Sequence, residues 1–599
     1  MSRPPRRSAG STWAGAAIVL LALGLTNGCG PGQPSRWNLR PTVERPRPAV
    51  VVFLVDGLPP RFVEWGCADG SLPNIRRRFC DGGVRVERAT TSVPAITYAA
   101  IATLLTGVGP GRHQIVGNRW FDPDARLFRN YATIEHYRDV NTDFETPTIY
   151  ERIDPAASVS VQAAHRRGVT KNIANWALSG TMWFFGDFTA VDKLTASSIW
   201  RITRWANRQG RWPTLLTLYF PGLDSVGHEV SPSSTKFRWA VWHADWQVGR
   251  VCDWLERQGL LETTYLVLVS DHGMIDVRPE GFIDLVALVR DGWGRRVTDE
   301  MRQDGSFEQR ARFYDAFDTV VAHQDGRGAS LHFRGPAGWD TPPSPDLVEA
   351  VLHSPPEDLR LWNIRGVELV AYLASTNGEP VGTGVFGDKS AQQPPSLSGR
   401  GWGRVESSDA LHLRPPSNQA IASSGRLEVV LRSAAGSARI LTQPGPGGDE
   451  FAYVPDDGDV LGYLADPDLA AFVAAGFHPS RAWLAATADQ RLPDVVPHLP
   501  PLLHVRRAGQ VVVFAAPGYS FVREAGGHGG LDRDERLMTF LLAGPGIEPG
   551  TVIATARSVD LVPTLLDLLG VEYDEDEWLE GVSLLNIPRL SPADAGVAP

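Results

Sequence analysis

Three runs of apolar, β-favouring residues each lead to an acidic side chain, and no other feature constrains the fold so tightly. Val50 to Val55 leads to Asp56, Leu215 to Tyr219 to Asp224, and Tyr265 to Val269 to Asp271. A strand that is apolar at consecutive positions must be covered on both faces, as inside a parallel sheet with helices on either side. Acidic groups just past the carboxyl ends of such strands share the rim where open α/β sheets hold ligands. Helical stretches fill the intervals: Thr97 to Thr106, rich in Ala, Ile and Leu and closed by Gly107, and Trp239 to Leu255. The predicted fold class is α/β, a doubly wound and mostly parallel sheet flanked by helices.

A chain of 599 residues is too long for a single growing core. Beyond about Arg290 the strand-and-helix rhythm gives way to Gly/Pro/Ser-rich pieces, such as Gln392 to Gly399, alternating with short β-type runs at Val367 to Leu373 and Leu427 to Leu431. Core character returns with Val511 to Phe514, Leu537 to Leu542 and an apolar helix from Val559 to Leu569. The expected division is an export signal over 1–29, a Pro-rich linker over 30–48, a first core half over 49–289, an inserted, partly β cap region over 290–503, a second core half over 504–585 and a tail over 586–599.

Arg3, Arg6 and Arg7 precede an apolar stretch from Ala14 to Leu25 and then Thr26-Asn27-Gly28-Cys29, the parts of an export signal and too short a run to span a bilayer. The placement of Cys29 resembles a bacterial lipoprotein signal, which implies a membrane tether through a lipidated Cys29 and a periplasmic or cell-envelope location; plain secretion is the alternative. Export permits disulfides, so Cys67 and Cys80 are read either as a bridge closing a small loop or as two buried thiols, with Cys252 left over. A net charge of −10 without a Lys/Arg-rich block excludes a nucleic-acid scaffold as partner and suits a protein that binds cations.

Singly, each chemical residue has an ordinary explanation. An Asp after a strand caps free N–H groups, and His528 between glycines reads as a surface histidine. Together, Asp56, Asp224 with His228, Asp271 with His272, and His528 form a metal-ligand set of three Asp and three His. Asp224 and His228 stand four apart, on one side of a helical turn. Thr97 opens its helix, where N–H groups and the helix dipole favour a developing alkoxide; Ser92 is the fallback nucleophile.

In order and spacing, Val55-Asp56-Gly57, Thr97 with Leu104-Leu105-Thr106-Gly107, Asp224-Ser225-Val226-Gly227-His228, Ser270-Asp271-His272-Gly273-Met274 and Gly527-His528-Gly529 resemble the motif series of the alkaline phosphatase superfamily, and most of all its type I phosphodiesterase/nucleotide pyrophosphatase branch. The resemblance covers roughly Ala49 to Ile275 and Val511 to Leu585. It implies an alkaline phosphatase-like core and two divalent ions, zinc with manganese as the alternative. Asp224, His228 and His528 would hold one ion and Asp56, Asp271 and His272 the other, with Thr97 as nucleophile and Asn118 holding a non-bridging phosphate oxygen. Thr97 would attack phosphorus and pass through a phosphothreonine, which water then cleaves.

The implied substrate is a small-molecule phosphate ester, a nucleotide or a lipid headgroup. Tyr98, after the nucleophile, could stack on a base, although Tyr98-Ala99-Ala100-Ile101 departs from the family's usual continuation. Met182 to Phe185 could supply a second wall but reads better as core. His165-Arg166-Arg167-Gly168 loosely resembles a Lys-x-Arg-Gly segment of monoesterases and reads better as a solvated basic turn, which favours a diesterase. A phosphomonoesterase, a headgroup phosphotransferase on the same site and a catalytically silent binding protein are the alternatives. The absence of a cysteine near Thr97 argues against a formylglycine sulfatase.

Overall fold

The computed structural model describes residues 39–43, 48–153, 158–174, 176–324, 326–374, 427–573 and 579–589. The export signal with Cys29, most of the Pro-rich linker, the Gln392 to Gly399 loop, the side chains of Trp183 and Phe184 and nearly all of the tail lie outside the described residues.

Among the described residues the first sheet has nine strands. Thr264–Val269, Ala49–Val55, Leu215–Phe220, Ser158–Val161 and Lys171–Ile173 follow one another in parallel. Phe540–Ala543 adds antiparallel to Thr264–Val269 and is followed by Val84–Thr90, which also pairs with Leu537–Met538 and Thr551–Arg557. All seven residues of Ala49–Val55 are buried. Val51, Phe53 and Val55 pack on one side with Ile199–Gln209 and Thr235–Arg257, whereas Val50, Val52 and Leu54 pack on the other with Thr97–Thr106 and Leu561–Leu569. A central strand sealed on both faces, each large side chain contributing about 1.5–3 kcal/mol by burial, fixes where the neighbouring strand ends lie.

The β-rich region forms a second nine-stranded sheet, ordered Val297–Thr298, Thr319–His323, Gly328–Phe333, Val511–Ala515, Val367–Leu373, Glu428–Ser433, Gly436–Gly445, Gly448–Pro455 and His478–Pro479. Here one expectation is overturned. The Val511 run, expected to reopen the catalytic core, is an interior strand of this second sheet, with Val513 opposite Ala329 on one side and Val370 on the other. Its residues alternate between two apolar clusters, Val512 and Phe514 in one, Val511, Val513 and Ala515 in the other. A run this apolar requires a central position, but its composition is the same whichever sheet supplies it. The Leu537 to Leu542 run is likewise two short strands broken at Thr539, whose N–H donates to Ser270 Oγ at 2.9 Å and whose hydroxyl donates to the Leu58 carbonyl at 2.9 Å.

Cys67 and Cys80 form a disulfide, and Cys252 is a buried free thiol pushed up to about 12 by burial. Among the described residues no helix is long and apolar enough to cross a membrane.

Candidate metal centre

The strand ends deliver the acidic residues to one place. After Ala49–Val55, Asp56 is followed by Gly57 at φ 64°, where a Cβ would approach the Asp224 Cβ to 3.1 Å, so a glycine keeps the two aspartates adjacent. Helix Gly222–Val230 presents Asp224 and His228 one turn apart. Asp271 and His272 follow Thr264–Val269. His528 returns by a short pairing, Gly526 and Gly527 lying antiparallel to Asp276 and Ile275.

Hydrogen bonds aim the three candidate histidines inward. His272 Nδ1 donates to the Gly273 carbonyl at 2.9 Å, His528 Nδ1 to the Ala95 carbonyl at 3.0 Å, and His228 Nδ1 to Glu524 Oε2 at 2.8 Å. Such bonds fix the tautomer and leave each Nε2 as a lone pair. His228 Nε2 and His528 Nε2 then face each other at 3.1 Å, and both lie 3.4–3.5 Å from Asp224 Oδ1. Two lone pairs at that distance need a cation between them, and sides of 3.1–3.5 Å suit three ligands each about 2 Å from one ion. On the other side His272 Nε2 lies 3.5 Å from Asp56 Oδ1 and 3.5 Å from Asp271 Oδ2. Asp56 Oδ1, Asp224 Oδ1 and Asp271 Oδ2 are buried and lack any hydrogen-bond partner within the protein, as expected of oxygens placed for metal. Asp224, His272 and His528 also lie within ligand range of one another, so the two sets adjoin.

The electrostatics agree. Burial, reinforced by Asp271 and Asp224, raises the Asp56 carboxyl well above the usual carboxylate range, and burial raises Asp271 as well. Burial also works against Asp224, but His228 beside it holds its carboxyl low. Buried carboxylates packed together without a cation are costly, and divalent ions remove that cost.

Thr97 is the first residue of helix Thr97–Thr106, and its Oγ1 lies 3.1 Å from His272 Nε2. Asn118 Oδ1 accepts the Tyr98 N–H at 2.9 Å, which binds Asn118 to the first turn of helix Thr97–Thr106. Tyr98 is half-buried: its ring stacks on Tyr131 at 4.8 Å and its hydroxyl donates to the Tyr131 carbonyl at 3.1 Å. The expectation of a solvated basic turn at 165–168 holds for Arg167 and Gly168, which form a turn that reaches solvent, but not for His165. His165 is buried beside Tyr98, with its Nε2 3.0 Å from the Tyr98 carbonyl, and burial pushes it down to about 3. Arg167 is held by Glu151 at 3.0 Å and by the Phe144 carbonyl.

Sequence reasoning missed two residues at the centre. Tyr219 donates a short hydrogen bond to Asp56 Oδ2 and thereby turns Asp56 Oδ1 inward. Glu524 is anchored by Ser520 Oγ at 2.6 Å and orients His228. Neither belongs to the motif series. Glu524→Ala is expected to weaken zinc binding about 10–100-fold by competition with a chromogenic chelator, with Glu524→Gln, which keeps an acceptor for the Nδ1–H, losing less. Equal affinity in all three proteins would remove Glu524 from the centre.

The first half of the chain is similar to known proteins. The family model for type I phosphodiesterase / nucleotide pyrophosphatase matches residues 50–332. An uncharacterised pyrophosphatase/phosphodiesterase of Schizosaccharomyces pombe is 26% identical over 231 residues, 38% of this chain and 44% of that protein. Ectonucleotide pyrophosphatase/phosphodiesterase 1 of Saccharomyces cerevisiae is 24% identical over 256 residues, 38% of this chain and 34% of that protein. The chain thus spans less than half the length of these curated relatives. The solved structure of murine ectonucleotide pyrophosphatase / phosphodiesterase 5 aligns over 88% of this chain and 95% of that chain, with 15% identity and a TM-score of 0.48. Over residues 50–332 the chain is thus similar to the type I phosphodiesterase / nucleotide pyrophosphatase family.

Proposed function

We propose that the protein is an exported two-metal hydrolase that cleaves phosphodiester or nucleotide pyrophosphate bonds through a phosphothreonine on Thr97. The observation that carries this reading is the placement of Thr97 Oγ1, 3.1 Å from His272 Nε2 at a helix N-terminus, among buried carboxylate oxygens with no partner in the protein. Asp56, Asp271 and His272 would hold one ion and Asp224, His228 and His528 the other. Such ions, zinc with manganese as the alternative, lower the pKa of a bound hydroxyl or water and neutralise charge on the phosphate oxygens.

Thr97 loses its hydroxyl proton and forms the O–P bond while the leaving group departs from the opposite side; water then attacks phosphorus and returns the Thr97 oxygen. Tyr219 and Glu524 keep Asp56 and His228 oriented through both steps. Asn118, bound to the first turn of the nucleophile helix, is positioned to hold a non-bridging oxygen, and Tyr98 forms a wall beside it. A monoester dianion calls for extra cations around phosphate. The segment that resembles their source instead places a buried His165 there, disfavoured as a cation, and an Arg167 already paired, which supports the diester reading. The Cys67–Cys80 disulfide supports an oxidising compartment.

The test strips the protein with a chelator, reconstitutes it with zinc or manganese, and assays bis-p-nitrophenyl phosphate, p-nitrophenyl phosphate and p-nitrophenyl sulfate. The diester is expected to be cleaved fastest, with activity lost on stripping and regained with metal. Cleavage of none of the esters, or preference for the sulfate, would overturn the proposal.

A further inference from the structure

The outward side of helix Thr235–Arg257 carries Trp239, Trp242 and Trp246, which are 49%, 45% and 44% exposed, while Trp254 on the same helix is buried. Spacings of three and four residues place the three exposed rings in one stripe along the helix. The opposite side is committed to the core through Phe237, Ala240, Val241, Ala244 and Val248. His243 stacks under Trp239 at 5.5 Å, so that ring lies against the helix with its other surface to solvent. Tryptophan is the side chain least readily left in water without a purpose, and a row of three marks an interaction face.

Two observations say what covers it. First, the stripe is edged by cations, although the chain as a whole is acidic. Arg238 and Arg257 are exposed on this helix, and the Arg250 guanidinium lies 5.1 Å over the Trp246 ring. The exposed acids on the same helix, Asp253 and Glu256, are paired with Arg77 and Arg78. Second, the chain enters the fold in this same layer. Thr42 N–H donates to Asn207 Oδ1 at 2.9 Å, Asn207 Nδ2 donates to the Arg40 carbonyl at 3.0 Å, and Val43 packs into the cluster that holds the inner side of the Trp helix. Cys29 precedes Arg40 by eleven residues, a reach of at most about 36–40 Å. A lipid on Cys29 would therefore hold this layer near a bilayer, and lipid anchoring is stable only with a second attachment.

We propose that the Trp239/Trp242/Trp246 stripe docks on the surface of an anionic phospholipid bilayer. Indole rings settle at the headgroup level, where the ring is apolar and the N–H still finds acceptors, and the flanking arginines meet lipid phosphates. Helix Thr235–Arg257 packs against helix Gly222–Val230, which carries Asp224 and His228, so docking would hold the metal centre close to the membrane.

The test uses the chain from residue 30 onward, which lacks the export signal and carries no lipid, and compares it with the same chain carrying Trp239→Ser, Trp242→Ser and Trp246→Ser. Partition is measured on vesicles of phosphatidylethanolamine and phosphatidylglycerol, beside vesicles of phosphatidylcholine. Preferential binding to the anionic vesicles is expected, falling about tenfold or more in the triple variant, with the circular dichroism spectrum and ester hydrolysis unchanged. In the parent chain, tryptophan fluorescence should be quenched by brominated acyl chains. Equal partition of the two chains, or no quenching in the parent, overturns the proposal. So does a parent dimer in sedimentation that the triple variant abolishes while vesicle binding persists, because it assigns the face to a second copy.

Discussion

Thr97→Ala is expected to fold and bind metal as the native chain does, and to lose diester cleavage by at least about a thousandfold. Thr97 begins its helix, but no side-chain capping bond comes from Ile96 before it, and the Thr97 hydroxyl has His272 as its hydrogen-bond partner. Alanine is a better helix former, so the stability change should stay within about 0.5 kcal/mol. What is lost is the oxygen that must bond to phosphorus. Thr97→Ser should keep substantial activity. Ser92, the other hydroxyl considered from sequence, is buried and its Oγ lies 3.3 Å from the Pro94 carbonyl in its own loop. Initial rates on bis-p-nitrophenyl phosphate beside thermal midpoints separate loss of chemistry from loss of fold. A rate within a few-fold of native in Thr97→Ala would rule out the phosphothreonine.

The largest stability effect should come from outside the motif series. Arg327 and Glu535 are fully buried and joined at 2.6 Å, and the remaining Arg327 nitrogens donate to the Ala515, Ala516 and Tyr519 carbonyls. Glu535 Oε1 accepts the Gly530 N–H, its carbonyl accepts the Gly273 N–H, and the Arg327 N–H donates to the His528 carbonyl. The pair thus fastens the His528 loop, the residue after His272 and the second sheet to one another. Burial pushes the Glu535 carboxyl up to about 7 even with the guanidinium against it, so solvation lost on burial is not fully recovered by attraction. Removing one partner is the costly change. Arg327→Met is expected to lower unfolding free energy by about 3–5 kcal/mol in urea titrations, with weaker zinc retention as the His528 loop loosens. A loss below about 1 kcal/mol would mean that the carbonyls and Glu535 find other partners.

How much of this was legible in the sequence follows from the range over which each cause acts. The central strands could be read because burial on both faces leaves no polar position in Val50 to Val55, a local signature. The six Asp and His residues could be read because their neighbours, such as Gly57 beside Asp56, serve the same close approach. The sheet membership of Val511–Ala515 could not, since Val512 and Val513 satisfy either sheet equally. Glu524 and Tyr219 could not either: each acts across the fold on a ligand, and a single Glu or Tyr carries no local mark of that partner. Nor could Arg327, which reads as a surface arginine until Glu535 and three carbonyls are brought around it. The buried His165 was misread because two arginines beside it suggested solvent, whereas it fills the space against Tyr98 and Phe144.

The strand Phe540–Ala543 lies between Val84–Thr90 and Thr264–Val269, both of which precede it by more than two hundred residues. A chain made and translocated amino end first would present those two strands with open edges while more than two hundred further residues are made, exposed to mispairing. Closure of the sheet and arrival of His528 both wait for the same late stretch. Assembly of the candidate centre is thereby tied to completion of the polypeptide: a product terminated before residue 528 lacks the sheet's interior strand and His528 together.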